Sequence, residues 1–398
     1  MQAVIFGAGA VGLGFLGELL GKSGWQITFA DIDSALVAAL NAQGRYLFSK
    51  VSDRIGPVEV EGVAAIDLGA ATAQDQVAAK LREADLIFTA AGARAFPAVG
   101  QALARAAQAV TAGRPPLNVL CCENHRDAAL ALTEATQAAL DRPELLPEKY
   151  AFVNTVIARM CQRLSPEETE HPPVTPGSHV VIFTEAYQLL PADGSQVAPP
   201  MREFEGLRVL SGPEFVAWDH RKLFAHNGTH ALLGVLGKLA GHSYMYECAL
   251  DSDIDAAARR ALWEEVGRAL LAAHPQVFTR ADHEAFAEDL YARITSRLFA
   301  DGVDRGTRDA LRMISPADGR LSGAAELVLK HGGEPRALAL AIAGVLRLNG
   351  CSVGETAALL AHVDPAVRPQ LVELSQRAYQ CLATWQEGSR GALRAFLA

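Results

Sequence analysis

Residues 3–31 restrict the fold more than any other stretch. Ala3-Val4-Ile5-Phe6 is a short apolar strand, and Gly7-Ala8-Gly9-Ala10-Val11-Gly12 follows at once. This is G-x-G-x-x-G between a strand and a helix, the context that a dinucleotide fingerprint requires. Gly7 permits the tight turn, Gly9 lets the backbone approach a pyrophosphate, and Gly12 lets helix and strand pack closely. Ala8, Ala10 and Val11 complete the loop, and the N–H groups that open the helix face the phosphates. Trp25-Gln26-Ile27-Thr28-Phe29-Ala30 reads as the second strand and ends in Asp31, 19 positions after Gly12. A carboxylate there accepts hydrogen bonds from an adenosine ribose and repels a 2′-phosphate, which favours NAD over NADP. Asp33 reads as a helix cap. Gly14, Gly17 and Gly21 share one face of the first helix, and each costs about 1 kcal/mol of helix propensity. Close backbone approach would offset that cost.

Strands with small or polar ends recur downstream. Residues 84–92 read as a parallel strand whose end, Thr89, Ala90 and Gly92, leaves room for the cofactor at the carboxyl edge of a sheet. Residues 117–122 form another, ending in Glu123 and Asn124, which suit either the cofactor site or a helix cap. Asn154 sits inside the strand-like run 151–157, where propensity disfavours it, so it needs a hydrogen-bonding task. Residues 165–178 read as a surface loop; 180–184 resume a strand, followed by Glu185, and 201–210 look extended.

The character then changes. Ser211-Gly212-Pro213-Glu214 carries a capping box and an early Pro. Helical patterns follow at about 253–273, 282–299, 321–330, 336–348 and 365–385, with Asp364-Pro365 as a further cap and start. The expected architecture is an α/β Rossmann-type dinucleotide-binding domain over 1–210 and an all-α C-terminal domain over 211–398, which suits a chain of 398 residues.

Composition bounds the partners. A formal net charge of -9 argues against nucleic acid or an anionic membrane as the main partner. The longest apolar run, 337–346, falls far short of the ~20 residues of a membrane span. The six cysteines include no C-x-x-C pair, so they read as buried thiols of a reducing compartment, and no metal site is expected. An apolar strand begins almost at Met1, which leaves no room for a signal peptide, so a cytoplasmic location is expected.

Arg221-Lys222-Leu223-Phe224-Ala225-His226-Asn227-Gly228-Thr229-His230 is the chemically richest stretch. Read alone, it is an amphipathic helix with a polar side. Its residues and several others resemble the polyol-specific long-chain dehydrogenase/reductase (mannitol dehydrogenase) family. The resemblance rests on the early Gly-Ala-Gly, Gly14-Phe15, Cys122-Glu123-Asn124, Phe152-Val153-Asn154, Arg221-Lys222-Leu223-Phe224 and Leu239-Ala240-Gly241-His242. The family signature K-x4-N-x2-H is met by Lys222, Asn227 and His230, with Asn154 as the upstream Asn.

The resemblance implies an NAD-dependent, metal-independent oxidation of a sugar alcohol, with the members acting on mannitol 1-phosphate as the nearest. Unphosphorylated mannitol, or a hexuronate such as fructuronate or tagaturonate, gives the alternative substrate. A silent NAD-binding protein is a further alternative. Lys222 is then the general base, Asn154 and Asn227 donate to the developing alkoxide, and His230 holds a substrate hydroxyl. A lysine base needs desolvation or a nearby cation, for which Arg221 and His220 are neighbours in sequence. Glu185, His226 and Arg336 are further substrate candidates. The resemblance also implies a monomer and a site at the seam of the two domains.

Three positions depart from the family pattern: Ala158-Arg159 replaces an Asp-Arg pair, Leu13 a basic residue, and His220, next to Asp219, a Glu. Arg312, Arg320, Lys330, His331 and Arg336 are candidate phosphate partners. On a regular helix Lys222, Asn227 and His230 fall at about 0°, 140° and 80°, with roughly 12 Å between Lys222 and His230 along the axis. One carbonyl cannot span that, so an extended substrate or a distorted helix is expected.

Overall fold

The computed structural model describes residues 1–107, 115–389 and 391–398. The chain divides into two compact units, Met1–Phe215 and Val216–Ala398.

The first unit carries β1 (Gln2–Phe6), β2 (Gln26–Asp31), β3 (Arg45–Val51), β4 (Ile55–Glu61), β5 (Val63–Asp67), β6 (Leu86–Thr89), β7 (Leu117–Cys121), β8 (Tyr150–Asn154), β9 (Cys161–Leu164), β10 (Val181–Thr184), β11 (Leu190–Asp193) and β12 (Leu207–Leu210). Its helices are α1 (Gly17–Lys22), α2 (Ser34–Gln43), α3 (Ala73–Glu83), α4 (Phe96–Ala107) and α5 (Ala128–Gln137). Six strands form a parallel sheet in the order β5-β2-β1-β6-β7-β8. Counting these strands along the chain gives 3-2-1-4-5-6, the Rossmann order, with its switch point at β1.

The two-residue period of the strands divides the core. Ile5, Ile27, Phe29 and Phe88 belong to one buried cluster. Their chain neighbours Val4, Phe6, Ala30 and Ile87 belong to another, shared with α3, α4 and α5. The first face is covered by the glycine-bearing helix, by α2 and by a second sheet, β4-β3-β10-β9. Sequence reading passed over the β3–β4 hairpin and expected residues 201–210 to be extended throughout. In fact only Leu207–Leu210 is a strand, paired in parallel with β11.

The spaced glycines explain how the second sheet reaches that helix. A Cβ on Gly14 would stand 2.7 Å from Ile182 Cγ2, one on Gly17 would strike the Tyr46 hydroxyl, and one on Gly21 would lie 3.0 Å from Val60 Cγ1. The helix begins as a wide π-type turn, Gly12–Leu16. Two side chains take carbonyls of that turn: the Tyr46 hydroxyl donates to Leu13 O at 2.7 Å and Arg159 Nη1 to Gly14 O at 2.8 Å. Arg159 also pairs with Glu18 at 2.6 Å, donates from Nε to Tyr187 O at 2.5 Å and lies over the Phe15 ring. Burial pushes the Glu18 carboxyl up, but Arg159, Lys50 and Lys22 outweigh it and hold it at about 2.

The second half is helical: α6 (Gly212–His220), α7 (Gly228–Ala240), α8 (Met245–Leu250), α9 (Ser252–Arg259), α10 (Val266–Ala273), α11 (Arg280–Ile294), α12 (Val303–Thr307), α13 (Ser322–Lys330), α14 (Arg336–Leu348), α15 (Thr356–Leu359), α16 (Arg368–Gln386) and α17 (Ala392–Leu397). Half of the capping box expected at the start of α6 forms, with Glu214 accepting from the Ser211 N–H at 2.9 Å and from its hydroxyl at 2.7 Å. The apolar run 337–346 is buried throughout as the central helix, with α7 and α16 packed on it. A helix apolar on all sides belongs there. No described helix is long and apolar enough to cross a membrane. The segment expected to begin at Asp364-Pro365 starts later, at Arg368; Asp364 instead closes a turn by accepting from the Ala366 N–H.

Candidate active site

In the first unit the residues expected at the nucleotide gather at the carboxyl ends of β1, β2, β6 and β7, beside the switch point. Gly7 adopts a φ of +105°, and any side chain there would run into the Ala90 carbonyl. A Cβ on Gly12 would strike Gly7 O, so loop and helix pack without side chains. Gly9 is different: the nearest atom to its virtual Cβ is Ala90 O at 4.0 Å, so its surface is open to a ligand. This is a cradle of the shape a pyrophosphate needs, and the residues fit NAD. Ala10 and Val11 open the helix.

Asp31 ends β2 as expected, and its carboxylate also ties the loop. Oδ2 accepts from the Ala8 N–H at 2.5 Å and Oδ1 from the Asp33 N–H at 2.9 Å. Asp33 caps α2 by accepting from Leu36 N–H at 3.1 Å. Glu123 acts neither as a cap nor with a free carboxylate. Its two oxygens accept from the Ala91 and Gly92 N–H groups at 3.0 Å each, fixing the loop after Thr89 and Ala90. Burial raises its pKa, and those N–H groups offset part of the rise. Asn124 is exposed beside it.

Asn154 ends β8. Its Oδ1 accepts from the Ala129 N–H at 2.9 Å, at the start of α5, and its own N–H donates to Gln196 at 2.7 Å. With the oxygen committed, the amide is oriented to donate through Nδ2, the polarity that an alkoxide requires. Glu185 departs from the substrate reading. It is buried, and its oxygens accept from the Met160 N–H at 2.9 Å and the Tyr187 N–H at 2.8 Å, so it fastens β10 to the segment before β9.

In the second unit Lys222, His226, Asn227 and His230 follow one another on a continuous helical run in which Arg221–Asn227, between α6 and α7, is wound as a π-type helix. The regular-helix angles therefore do not apply. In i→i+5 winding, residues five apart are little more than one turn apart, which puts Lys222 and Asn227 closer in angle than a regular helix would. A Cβ on Gly228 would lie 3.2 Å from Arg320 O, so this glycine admits the 318–320 loop against the helix.

That loop supplies the cation that sequence reading had sought in Arg221 and His220. Arg221 instead points into an aromatic box, its guanidinium 4.3, 4.2 and 4.5 Å from the ring centroids of Trp218, Phe278 and Phe286. His220 Nδ1 lies 3.0 Å from His274 Nε2. Desolvation is the main cause that lowers the Lys222 pKa to about 8, with Arg320 second, against the opposing charges of Asp219 and Asp318. Asp318 grips Arg320 at both Nε (2.7 Å) and Nη2 (2.5 Å).

His230 Nε2 lies 2.7 Å from Asp301 Oδ2, and Arg305 binds the same carboxylate through Nε and Nη2 at 2.6 Å each. Asp301 is fully buried; burial raises its pKa, but His230 and Arg305 outweigh that and hold the carboxyl well below its usual range. An ionised Asp301 fixes the ring and leaves His230 Nδ1 as the other polar atom. Gly306 makes room: a Cβ there would stand 3.2 Å from His230 Cε1. The Asp301–Arg305 pair has i,i+4 spacing and is legible as such, whereas its long-range partner His230 is not.

His226 is buried and kept neutral, first by desolvation and then by Arg293 and Lys222. Arg336 departs from the substrate reading: Nε pairs with Glu334 at 2.9 Å and Nη1 donates to Phe396 O at 3.0 Å.

A dinucleotide cradle on a Rossmann sheet, and a helical unit that carries a lysine of lowered basicity, an amide and an anchored imidazole, fit a nicotinamide-dependent oxidoreductase. Residues 1–187 match the mannitol dehydrogenase Rossmann domain and residues 214–386 the mannitol dehydrogenase C-terminal domain. The chain belongs to the mannitol dehydrogenase family. It is 32% identical to a mannitol-1-phosphate 5-dehydrogenase of Arthrobacter sp. (strain FB24), over 94% of this chain and 93% of the relative. The fold is that of Pseudomonas fluorescens mannitol 2-dehydrogenase, solved with NAD and D-mannitol: TM-score 0.76, 15% identity, 100% of this chain and 94% of that one. A D-sorbitol dehydrogenase superposes comparably, with TM-score 0.74, 12% identity and the same coverage.

Proposed function

We propose that the protein interconverts mannitol 1-phosphate and fructose 6-phosphate with NAD. The carrying observation is Lys222, held at about 8 by desolvation and Arg320, on a chain similar over nearly its whole length to a mannitol-1-phosphate 5-dehydrogenase. NAD, when bound in the glycine cradle, supplies the hydride acceptor. In oxidation Lys222 takes the hydroxyl proton as the carbinol C–H bond breaks, and the C–O bond becomes a carbonyl. Asn154 and Asn227 donate to the oxygen while it carries negative charge. His230, fixed by Asp301, holds a neighbouring hydroxyl. In reduction Lys222 returns the proton.

Of the candidate phosphate partners, Arg320 and Arg312 both face Asp318, and Arg320 is the one whose charge acts on Lys222. Lys330 is engaged by Glu326 and Asp364, and Arg336 by Glu334. The proposed setting is a monomer in the cytoplasm.

The test is a rate survey with NADH against fructose 6-phosphate, fructose, fructuronate and tagaturonate. Fructose 6-phosphate is expected to lead, and a clear preference for an unphosphorylated ketose or a uronate would overturn the substrate assignment. Lys222→Ala is expected to lower turnover by about 10²- to 10⁴-fold and to leave NADH affinity little changed.

A further inference from the structure

Arg221 opens the π-wound segment and stands one residue before Lys222. It is only 7% exposed, and its guanidinium lies over the rings of Trp218, Phe278 and Phe286 at 4.3, 4.2 and 4.5 Å. The walls come from separate parts of the second unit: Trp218 from α6, Phe278 from the link between α10 and α11, and Phe286 from α11. Three faces around one planar cation leave it little room to slide or turn. The far end of the segment is held as well, because the Arg320 carbonyl lies close against Gly228. Between these two anchors runs the wide winding that carries Lys222 and Asn227.

We propose that Arg221 is a positioning residue: clasped in its aromatic box, it sets the rotation of the helical run about its axis and so aims Lys222 at the reacting carbinol. The lever is long enough to matter. Side-chain ends lie roughly 5–6 Å from a helix axis, so a rotation of about 10° carries them about 1 Å. A displacement of that size at a catalytic group costs on the order of a hundredfold in rate. Desolvation and Arg320 lower the basicity of Lys222 only where its amine now stands, so a turned helix would also make it more basic. This inference rests on the reading of Lys222 as the base.

The test compares Arg221→Met and Arg221→Lys by pH–rate profiles of polyol oxidation, with rates scaled to folded protein by circular dichroism. Methionine fills the box without charge, and lysine keeps a cation over the rings. In Arg221→Met, kcat should fall about ten- to a hundredfold. The limb on which oxidation rises with pH should also move upward, as the amine leaves the setting that holds it at about 8. Arg221→Lys should recover part of both. Loss of packing alone would lower the melting temperature and the folded fraction but leave that limb in place. A wild-type kcat and limb in Arg221→Met, a fall in kcat with the limb unmoved, or a lysine variant no better than methionine would each overturn the proposal. If Arg221→Met does not fold, Phe286→Leu opens one half-buried wall and keeps the cation. Its limb should move the same way, and an unmoved one overturns the proposal. Should Lys222→Ala turn over at the wild-type rate, the base reading itself fails, which is a separate result.

Discussion

On the proposed mechanism two residues, Lys222 and His230, carry the chemistry, and each has a charged neighbour far off in sequence. Lys222 is partly buried, and Arg320 adds to the desolvation that lowers its basicity. Oxidation needs the neutral amine, so kcat/KM for the polyol should rise through about pH 8, while reduction should fall above it. Arg320→Met removes a positive neighbour and should move the oxidation limb to higher pH. Asp219→Asn removes a negative one and should move it to lower pH. A pH–rate profile in both directions checks the sign. Asp301 governs the second residue. Asp301→Asn weakens the hold on His230 and Arg305, and kcat/KM should fall on the order of a hundredfold through misplacement of the ring. If the profile of that variant keeps the Lys222 limb unmoved, the two effects are separable.

At the level of elements, the glycine helix is the joint of the first unit. Gly14, Gly17 and Gly21 admit Ile182, Tyr46 and Val60, and Arg159 closes the joint against Glu18. Arg159→Met should cost about 3–5 kcal/mol in denaturant unfolding, because it strips a buried carboxylate of one partner. Adding Glu18→Gln should restore much of it.

This element also marks how far sequence reading carried. The strand–glycine–helix–strand–acid order was legible because each member is local and each has a steric reason. The glycine face predicted close approach without naming what approached, since β3 and β10 are distant in sequence. Arg159 stood out only as half of an incomplete family pair. The winding of 221–227 was hidden for a different cause: apolar periodicity cannot separate α from π over so few residues, and the regular-helix angles failed there. The backbone partners of Glu123 and Glu185 were not legible, because a carboxylate at a strand end looks the same in sequence whether it faces a ligand or its own backbone.

At the scale of the whole molecule, two buried carboxylates respond oppositely to pH. Glu18 in the first unit is depressed from 4.5 to about 2, so its contribution is present above pH 4.5 and lost as pH falls through 2. The shift corresponds to about 3 kcal/mol. Glu265 in the second unit accepts from the Ala337 and Leu338 N–H groups at the start of α14, at 2.8 and 3.2 Å. Burial raises it from 4.5 to about 7, against those N–H groups and Arg260. Its contribution is therefore full below pH 4.5 and lost as pH rises through 7. Tm measured across pH should decline between about 5 and 7 on this account, and Glu265→Gln should flatten that slope. The acid limb should persist in that variant.

The grip of Glu123 on Ala91 and Gly92 has a kinetic corollary. With Asp31 holding Ala8 as well, both rims of the cradle have their backbone fixed before any cofactor arrives. Association then has no loop to order. In stopped-flow mixing the observed rate should climb linearly with NADH concentration, at a slope of about 10⁵–10⁷ M⁻¹s⁻¹, without levelling to a plateau. Glu123→Gln, which loosens one rim, should introduce that plateau: a cofactor arriving faster than its seat can form.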